Sequence, residues 1–177
     1  KQPKFQVGDT LGYNAVDNTN DAVHKVVPNT AISSRDFYLI VKEKDSKGNL
    51  KIDYKINKIK IQEEEKTYKT IPIVGGIEKF LKDDLKNTAI RFTIDGSGRF
   101  QSLDNKDEIE ELYIQRMLPT ILDIVKKQTK HKPTVKEIAE AKEKLKEQFN
   151  ILDIFEEIPA LFKYYGQPLM EGNILCM

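Results

Sequence analysis

The spacing of apolar residues changes once along this chain, at about residue 104. Upstream, apolar residues alternate with polar ones, as between Leu50 and Ile56, which is the period of a strand with one buried face. Downstream they recur every three or four positions, as in Ile109, Leu112 and Tyr113, which is the helical period. Strands and helices in separate blocks predict an α+β fold, with helices packed on one face of an antiparallel sheet.

The 177 residues fit a single domain, 1–177, and a chain of this length can bury a core without a metal or disulfide. We predict that residues 1–103 are mainly β, that 104–166 are mainly helical, and that 167–177 form an extended tail. The tail adds a strand, or else the sheet keeps an open edge. The predicted architecture is a twisted antiparallel β-sheet of about five to six strands. Two to three C-terminal helices pack on it.

One position in the β part predicts an irregular strand. In the strand after the first hairpin loop, apolar residues occupy even positions from Leu50 to Ile56 and odd positions at Ile59 and Ile61. Such a change turns the side chains to the other face of the sheet unless one extra residue is inserted. We therefore predict a β-bulge near Asn57 and Lys58.

The strands are separated by glycine-containing turns. Residues 45–49 and 95–98 are predicted hairpin loops, because glycine and asparagine tolerate the positive φ that such loops need. Gly8 and Asp9 interrupt the N-terminal strand and predict a turn or bulge within it. Residues 77–85 fit either a short helix or a loop.

Two sequence patterns mark helix starts. Asn105 with Glu108, and Thr134 with Glu137, have the spacing of capping boxes. Pro119 lies within the first helix and is expected to kink it rather than end it, because the apolar pattern resumes at once. The second helix is predicted to run to about residue 149.

A third helical stretch, residues 151–165, is richly apolar and contains Pro159. The excess of apolar residues has two interpretations: ordinary core, or an apolar cleft between sheet and helix that holds a hydrophobic molecule. The aromatic residues concerned are Phe149, Phe155, Phe162, Tyr164 and Tyr165.

Composition excludes two classes of partner. The 29 basic residues nearly balance the 28 acidic ones. Only four of the basic residues are arginine, whose planar guanidinium is the usual donor to phosphates and base edges. No basic face results, so we predict no nucleic-acid partner. No apolar run approaches the roughly 18 residues that a membrane-spanning helix needs, so we predict no transmembrane segment.

The sequence shows no catalytic, cofactor-binding or metal-ligating constellation. Adjacent acids on a helix point about 100° apart, so they cannot share a proton, and we interpret them as a solvated face. These acids are at 83–84, 110–111, 156–157 and in the triplet 63–65.

The remaining candidates also have plain structural interpretations. Residues 74–76 lack the lysine and serine of a phosphate loop, so they predict a turn. Residues 95–98 lack the closing glutamate of a calcium loop, so a hairpin turn is the simpler interpretation. His24 and His131 lack metal-site spacing and are expected at the surface. Cys176 is the only cysteine, so we predict no disulfide. No cofactor-binding motif occurs in the sequence, so we predict no cofactor.

Three segments resemble uncharacterised secreted lipoproteins of Bacteroidetes-type bacteria: residues 5–13 (FQVGDTLGY), 92–100 (FTIDGSGRF) and 168–172 (PLMEG). The resemblance implies a cell-envelope location, periplasmic or surface-exposed, with a lipid-anchored cysteine upstream of Lys1. It implies no particular activity, and it assigns no catalytic residue.

We therefore expect a non-catalytic cell-envelope protein that binds an apolar ligand or a protein partner. Two alternatives stay open. The first is a structural or interaction module that pairs through a sheet edge. The second is an envelope hydrolase whose site is assembled from residues distant in the sequence.

Overall fold

The computed structural model of the chain describes residues 4–16, 32–61 and 72–163. Within them, five strands form one antiparallel sheet in chain order, and the fold is α+β as predicted. The strands are β1 (Thr10–Val16), β2 (Ile32–Lys44), β3 (Leu50–Ile61), β4 (Ile90–Ile94) and β5 (Phe100–Leu103). The α-helices are α1 (Pro72–Lys79), α2 (Leu85–Asn87), α3 (Lys106–Thr129), α4 (Val135–Gln148), α5 (Ile151–Ile154) and α6 (Glu157–Phe162).

The predicted bulge in β3 is confirmed. Asp36 of β2 lies opposite Lys58, whereas the next residue, Phe37, lies opposite Ile56, so Asn57 is the extra residue. The insertion keeps the apolar side chains on one face on both sides of the bulge.

Both predicted hairpin loops are confirmed and are built alike. The Asp45 carboxylate accepts hydrogen bonds from the backbone N–H groups of residues 47 and 49, and the Asp95 carboxylate accepts from those of residues 97 and 99. Gly48 and Gly98 take φ of +85° and +92°, a conformation that favours glycine.

The interruption before β1 is both a turn and a bulge. The backbone N–H of Asp9 donates to the Gln6 carbonyl, while Gly8 and Asp9 together oppose Val41 of β2. The odd-numbered positions of Phe5, Val7 and Leu11 predict that Val7 lies on the buried face of the first strand. This prediction is wrong: Val7 is exposed, because it lies in this turn rather than in the strand.

The core lies on one face of the sheet, under the helices. Alternate residues of β2, β3 and β4 are buried, and the intervening ones face outward. The helices complete this core from the other side. The most deeply buried large side chains are Tyr54, Phe80, Phe92, Phe155, Phe162, Leu39, Ile52, Ile77, Leu81, Leu85, Ile90 and Ile94.

Residues 77–85 are helical, and the helix is longer than predicted. α1 continues into a π-helical turn, Phe80–Asp84, and then into α2. The predicted turn at 74–76 is wrong, because those residues lie inside α1. One of the two glycines there serves helix packing, because Gly76 lies against Met117 of α3.

Substituting the two adjacent glycines of α1 should change stability in opposite directions. Gly75→Ala should raise the free energy of unfolding by about 0.5–1 kcal/mol, because alanine favours the helix and a Cβ there meets no atom within 4 Å. A Cβ at Gly76 would lie 2.8 Å from the Sδ of buried Met117, so Gly76→Ala should be at least about 1 kcal/mol less stable than Gly75→Ala. Urea unfolding of both variants checks this, and equal stabilisation by the two would contradict it.

The start of α3 differs from prediction, whereas that of α4 agrees. Asn105 precedes α3, but its side chain caps no backbone N–H of the helix, so the first capping box is wrong. α3 continues through Pro119. The Thr134–Glu137 capping box is present in full, and α4 ends within one residue of the predicted position.

The third helical stretch is two short helices, α5 and α6, with a break at Phe155 and Glu156. The expected tail strand at 167–177, Tyr164, Tyr165, His24 and Cys176 lie outside the described residues. No helix in the described part of the chain is long and apolar enough to cross a membrane.

Candidate functional site

The strongest convergence of polar side chains joins the sheet to α6. Glu157 of α6 accepts hydrogen bonds at Oε1 from the Arg35 Nε, at 2.6 Å, and from the Tyr54 hydroxyl, also at 2.6 Å. Its second oxygen, Oε2, accepts from the Arg35 Nη2. The Arg35 and Glu157 side chains are only 15% and 14% exposed. A bidentate pair with so little solvent contact fixes the position of α6 on the sheet.

Aromatic rings enclose this cluster. The Tyr54 ring stacks on Phe37, with centroids 4.4 Å apart, and lies 5.5 Å from the Phe155 ring. The Arg35 guanidinium carbon is 5.3 Å from the Phe155 ring centroid, within cation–π range. Burial, and then the Glu157 carboxylate, raise the pKa of the Tyr54 phenol well above its ordinary value. The phenol therefore serves as a hydrogen-bond donor and not as a base at neutral pH.

The raised Tyr54 pKa predicts a loss of stability at alkaline pH. Above about pH 10 the unfolded phenol loses its proton while the folded one keeps it, so the free energy of unfolding falls by up to about 1.4 kcal/mol per pH unit. Below that pH, the Tyr54 phenol makes its full contribution to the free energy of unfolding. Burial raises the pKa of Tyr113 too, so Tyr54→Phe should reduce this slope without abolishing it. Urea unfolding from about pH 8 to 11 gives the free energy of unfolding of the wild type and of Tyr54→Phe. The same pH dependence in both proteins would contradict the prediction.

The interpretation of the adjacent acids as a solvated face is partly wrong. In each pair that the structure describes, one acid turns toward the protein and pairs with a cation. Asp84 accepts two hydrogen bonds from Arg116, at 2.7 and 2.6 Å, and the buried Glu110 lies 3.4 Å from the Lys146 Nζ. Glu157, which pairs with Arg35, is the third such acid. The 100° rotation that rules out a shared proton also sends one of two neighbours inward.

A second buried polar residue ties the sheet to α3. The Asn105 side-chain oxygen accepts from the backbone N–H of Arg91, at 2.8 Å. Its amide nitrogen donates to the Ala89 carbonyl and to the Glu108 carboxylate, both at 3.0 Å. This side chain thus bonds residues 14 to 16 positions earlier in the sequence, which explains why it does not cap α3.

The polar side chains of these clusters form hydrogen bonds with protein groups, and they do not point together into an open cleft. Within residues 4–16, 32–61 and 72–163, no three His, Cys, Asp or Glu side chains are placed to hold a metal ion. The Asp95 carboxylate is occupied by the turn of its own hairpin loop. His131 is exposed and lies 3.5 Å from a Glu137 carboxylate oxygen.

The aromatic residues of the third helical stretch belong to the core as far as the structure describes them. Phe149, Phe155 and Phe162 are all buried. Phe149 stacks on Tyr113 with centroids 4.2 Å apart, and Phe162 lies 5.5 Å from Phe92. Beside α6 an open groove faces β5, with Phe100, Pro159 and Ala160 among its lining residues.

The edge of the sheet at β1 is the other candidate surface. β1 pairs with β2 over seven residues without a register shift, and no described strand pairs with its opposite side. The other edge, β5, has only four residues. On the outward face, the Tyr38 ring lies against Gly12, where an added Cβ would be 3.4 Å from the ring.

Compared with known proteins, the chain matches no protein-family model, no curated protein and no solved structure.

Proposed function

We propose that this chain is a non-catalytic binding protein of the bacterial cell envelope, and that it binds a protein partner which adds a strand at the β1 edge. The observation that carries the proposal is the composition of β1: Thr10–Val16 (TLGYNAV) contains no charged residue and no proline. Natural edge strands are normally protected by such residues, by bulges or by short length. The envelope location rests on the resemblance to secreted lipoproteins, as does a lipid anchor upstream of Lys1.

The backbone of β1 is oriented for such an addition. Val41 donates its N–H to the Asp9 carbonyl, so the alternation of an antiparallel pair directs residues 11, 13 and 15 toward β2. The N–H and C=O groups of the even residues, Thr10, Gly12, Asn14 and Val16, then face away from the sheet. An incoming strand would accept and donate hydrogen bonds at these four positions.

The core packing favours a protein partner over an apolar ligand. The excess of apolar residues in the third helical stretch suggested a ligand cavity. Phe149, Phe155 and Phe162 instead pack ring against ring in the core, so their number needs no ligand to explain it. The groove lined by Phe100, Pro159 and Ala160 keeps an apolar ligand as the second candidate.

Two features of the polar cluster support a non-catalytic role. Arg35, Tyr54 and Glu157 use their donors and acceptors on one another. The Tyr54 phenol holds its proton, so it offers no base. An envelope hydrolase would need a site formed elsewhere in the chain.

A photo-crosslinking amino acid placed at Val16 tests the proposal in the cells that make the protein. Val16 is 56% exposed at the proposed edge, and Lys55, an exposed residue of central strand β3, is the matched control position. We expect a discrete protein adduct from Val16, none from Lys55, and loss of the Val16 adduct when Thr10→Lys is added. No adduct at Val16, or equal adducts at both positions, would overturn the proposal.

A further inference from the structure

We infer that the end of the α3–α4 helical hairpin binds the surface of a lipid bilayer that contains anionic headgroups. This end, residues 126–136 (KKQTKHKPTVK), is called the hairpin tip: it comprises the last turn of α3, the connecting loop and the first two residues of α4. The inference goes beyond the proposed function, which concerns the β1 edge. Three features carry it: the position of the tip beyond the core, its lysines and one exposed apolar side chain.

The hairpin extends past the core. In α3 the buried residues end at Met117, and the part that follows, residues 118–129, is about 18 Å long and contains none. The buried residue of α4, Leu145, lies near the opposite end of that helix from the tip. Residues 126–132 are all exposed. The two helices therefore carry the tip away from the packed core and into solvent.

The hairpin tip is rich in lysine and contains no acid, although basic and acidic residues nearly balance over the whole chain. Of the flanking acids, Asp123 pairs with Lys127 at 2.7 Å, and Glu140 lies 3.8 Å from the Lys136 Nζ. The other three lysines of the tip form no ion pair with a described residue. The lysines of the tip are Lys126, Lys127, Lys130, Lys132 and Lys136.

The folding of the hairpin does not explain two of these lysines. Lys130 ends α3 with φ of +60°, a left-handed conformation that favours glycine at this position. Lys136 lies in the first turn of α4, where the helix dipole favours an acid. Both residues are exposed, so neither is needed for packing. An anionic surface would give lysine an advantage at both positions.

The chemistry of the tip fits a bilayer better than a protein or a nucleic acid. The tip has no arginine and no aromatic residue, which are the usual anchors of protein interfaces and of nucleic-acid sites. Lysine itself is depleted in protein interfaces. Clusters of lysine do bind anionic headgroups, and each lysine near such a surface contributes roughly fivefold in affinity.

An apolar side chain projects from the same tip. Val135 is 86% exposed, the most exposed large apolar side chain that the structure describes. It lies between Lys132 and Lys136 in the sequence. Basic residues beside an exposed apolar residue match the two layers of a bilayer surface, with charged headgroups outside and acyl chains beneath them.

Co-sedimentation with vesicles tests the inference on the full chain. The vesicles are phosphatidylcholine with about one third phosphatidylglycerol, and we expect half of the wild type to bind at about 0.1–1 mM accessible lipid at low ionic strength. Lys126→Gln/Lys130→Gly/Lys132→Gln should weaken this binding about a hundredfold. Added salt should weaken binding of the wild type, and vesicles of phosphatidylcholine alone should not bind it.

The matched control removes three exposed lysines elsewhere and so gives the same net charge. It should bind the anionic vesicles within about fivefold of the wild type, because these lysines lie outside the tip. Circular dichroism verifies that both triple variants are folded, and the glycine at position 130 favours the left-handed end of α3. The control substitutions are Lys55→Gln, Lys58→Gln and Lys86→Gln.

Tryptophan fluorescence locates the contact. The chain contains no tryptophan, so Val135→Trp introduces a single probe at the tip. Its emission should shift to shorter wavelength with the anionic vesicles, because the indole enters a less polar layer. Tyr38→Trp, at an exposed residue of β2, is the control and should not respond.

Three results would overturn the inference. These are a wild type that does not bind the anionic vesicles, equal weakening by the two triple variants, or an unchanged emission from Val135→Trp when vesicles bind. A photo-crosslinker at Lys132 that captures a protein in cells, together with no vesicle binding, would assign the tip to a protein partner instead. None of these results bears on the β1 edge, which is judged by crosslinking at Val16.

Discussion

Glu157→Ala is expected to lower the free energy of unfolding by about 3–5 kcal/mol. Removing the carboxylate leaves the Arg35 guanidinium, 15% exposed, without its partner, and it leaves the Tyr54 hydroxyl without its acceptor. A buried charge without compensation costs far more than the ion pair itself contributes. Urea unfolding at neutral pH measures the loss.

The matched control is Glu43→Ala, which also breaks a carboxylate–cation pair. Glu43 bonds Lys51 at 2.8 Å, but both side chains are more than half exposed, so we expect a change within about 0.5 kcal/mol. Combining Arg35→Met with Glu157→Leu should recover part of the loss, because no buried charge then remains. Equal losses for Glu157→Ala and Glu43→Ala would contradict the role of the cluster in fixing α6.

Phe155→Ala is expected to cost about 3–5 kcal/mol of stability as well. The Phe155 ring is fully buried between Tyr54 and the Arg35 guanidinium, so truncation leaves a cavity in a packed core. A ring that lined a ligand cavity would cost much less to remove from the protein without ligand. The measurement therefore separates the two interpretations of the third helical stretch.

The control for this substitution is Val135→Ala, at an apolar residue that is 86% exposed at the start of α4. We expect a change of less than about 0.5 kcal/mol there. A loss below about 1 kcal/mol for Phe155→Ala would contradict its assignment to the core. Because the Phe155 ring lies against Arg35 and Tyr54, which both bond Glu157, its effect and that of Glu157→Ala should not be additive.

The features that were predictable from the sequence depend on neighbouring residues. The change of parity between Ile56 and Ile59 requires an inserted residue, and Asn57 is that residue. The hairpin loop at 45–49 needs a residue that tolerates positive φ, and Gly48 supplies it. Both requirements hold whatever packs on the sheet.

The features that were mispredicted depend on residues far apart in the sequence. Gly75 and Gly76 predict a turn locally, but the close approach of Met117 makes glycine suitable at position 76 inside a helix. Glu157 lies 122 residues after Arg35, and no local pattern distinguishes it from the exposed Glu156. The scarcity of arginine was the available signal, since Arg35 and Arg116 both form bidentate pairs that lysine cannot form.

The candidate edge was predictable only in part. The alternation of Leu11, Tyr13 and Ala15 predicts the strand, but an edge position depends on the order of strands in the sheet. The uncharged composition of β1 indicates a pairing edge only once that order is known, because an interior strand needs no protection against pairing.

Native mass spectrometry of the protein purified from the envelope fraction of its own host tests the central claim most directly. We expect complexes with a second polypeptide, which are lost in the Thr10→Lys/Val16→Lys variant, and no small adduct that organic solvent extracts. A monomer carrying a solvent-extractable adduct of a few hundred daltons, about the mass of a drug-sized or lipid ligand, would contradict the claim. It would assign the groove beside α6 to an apolar ligand.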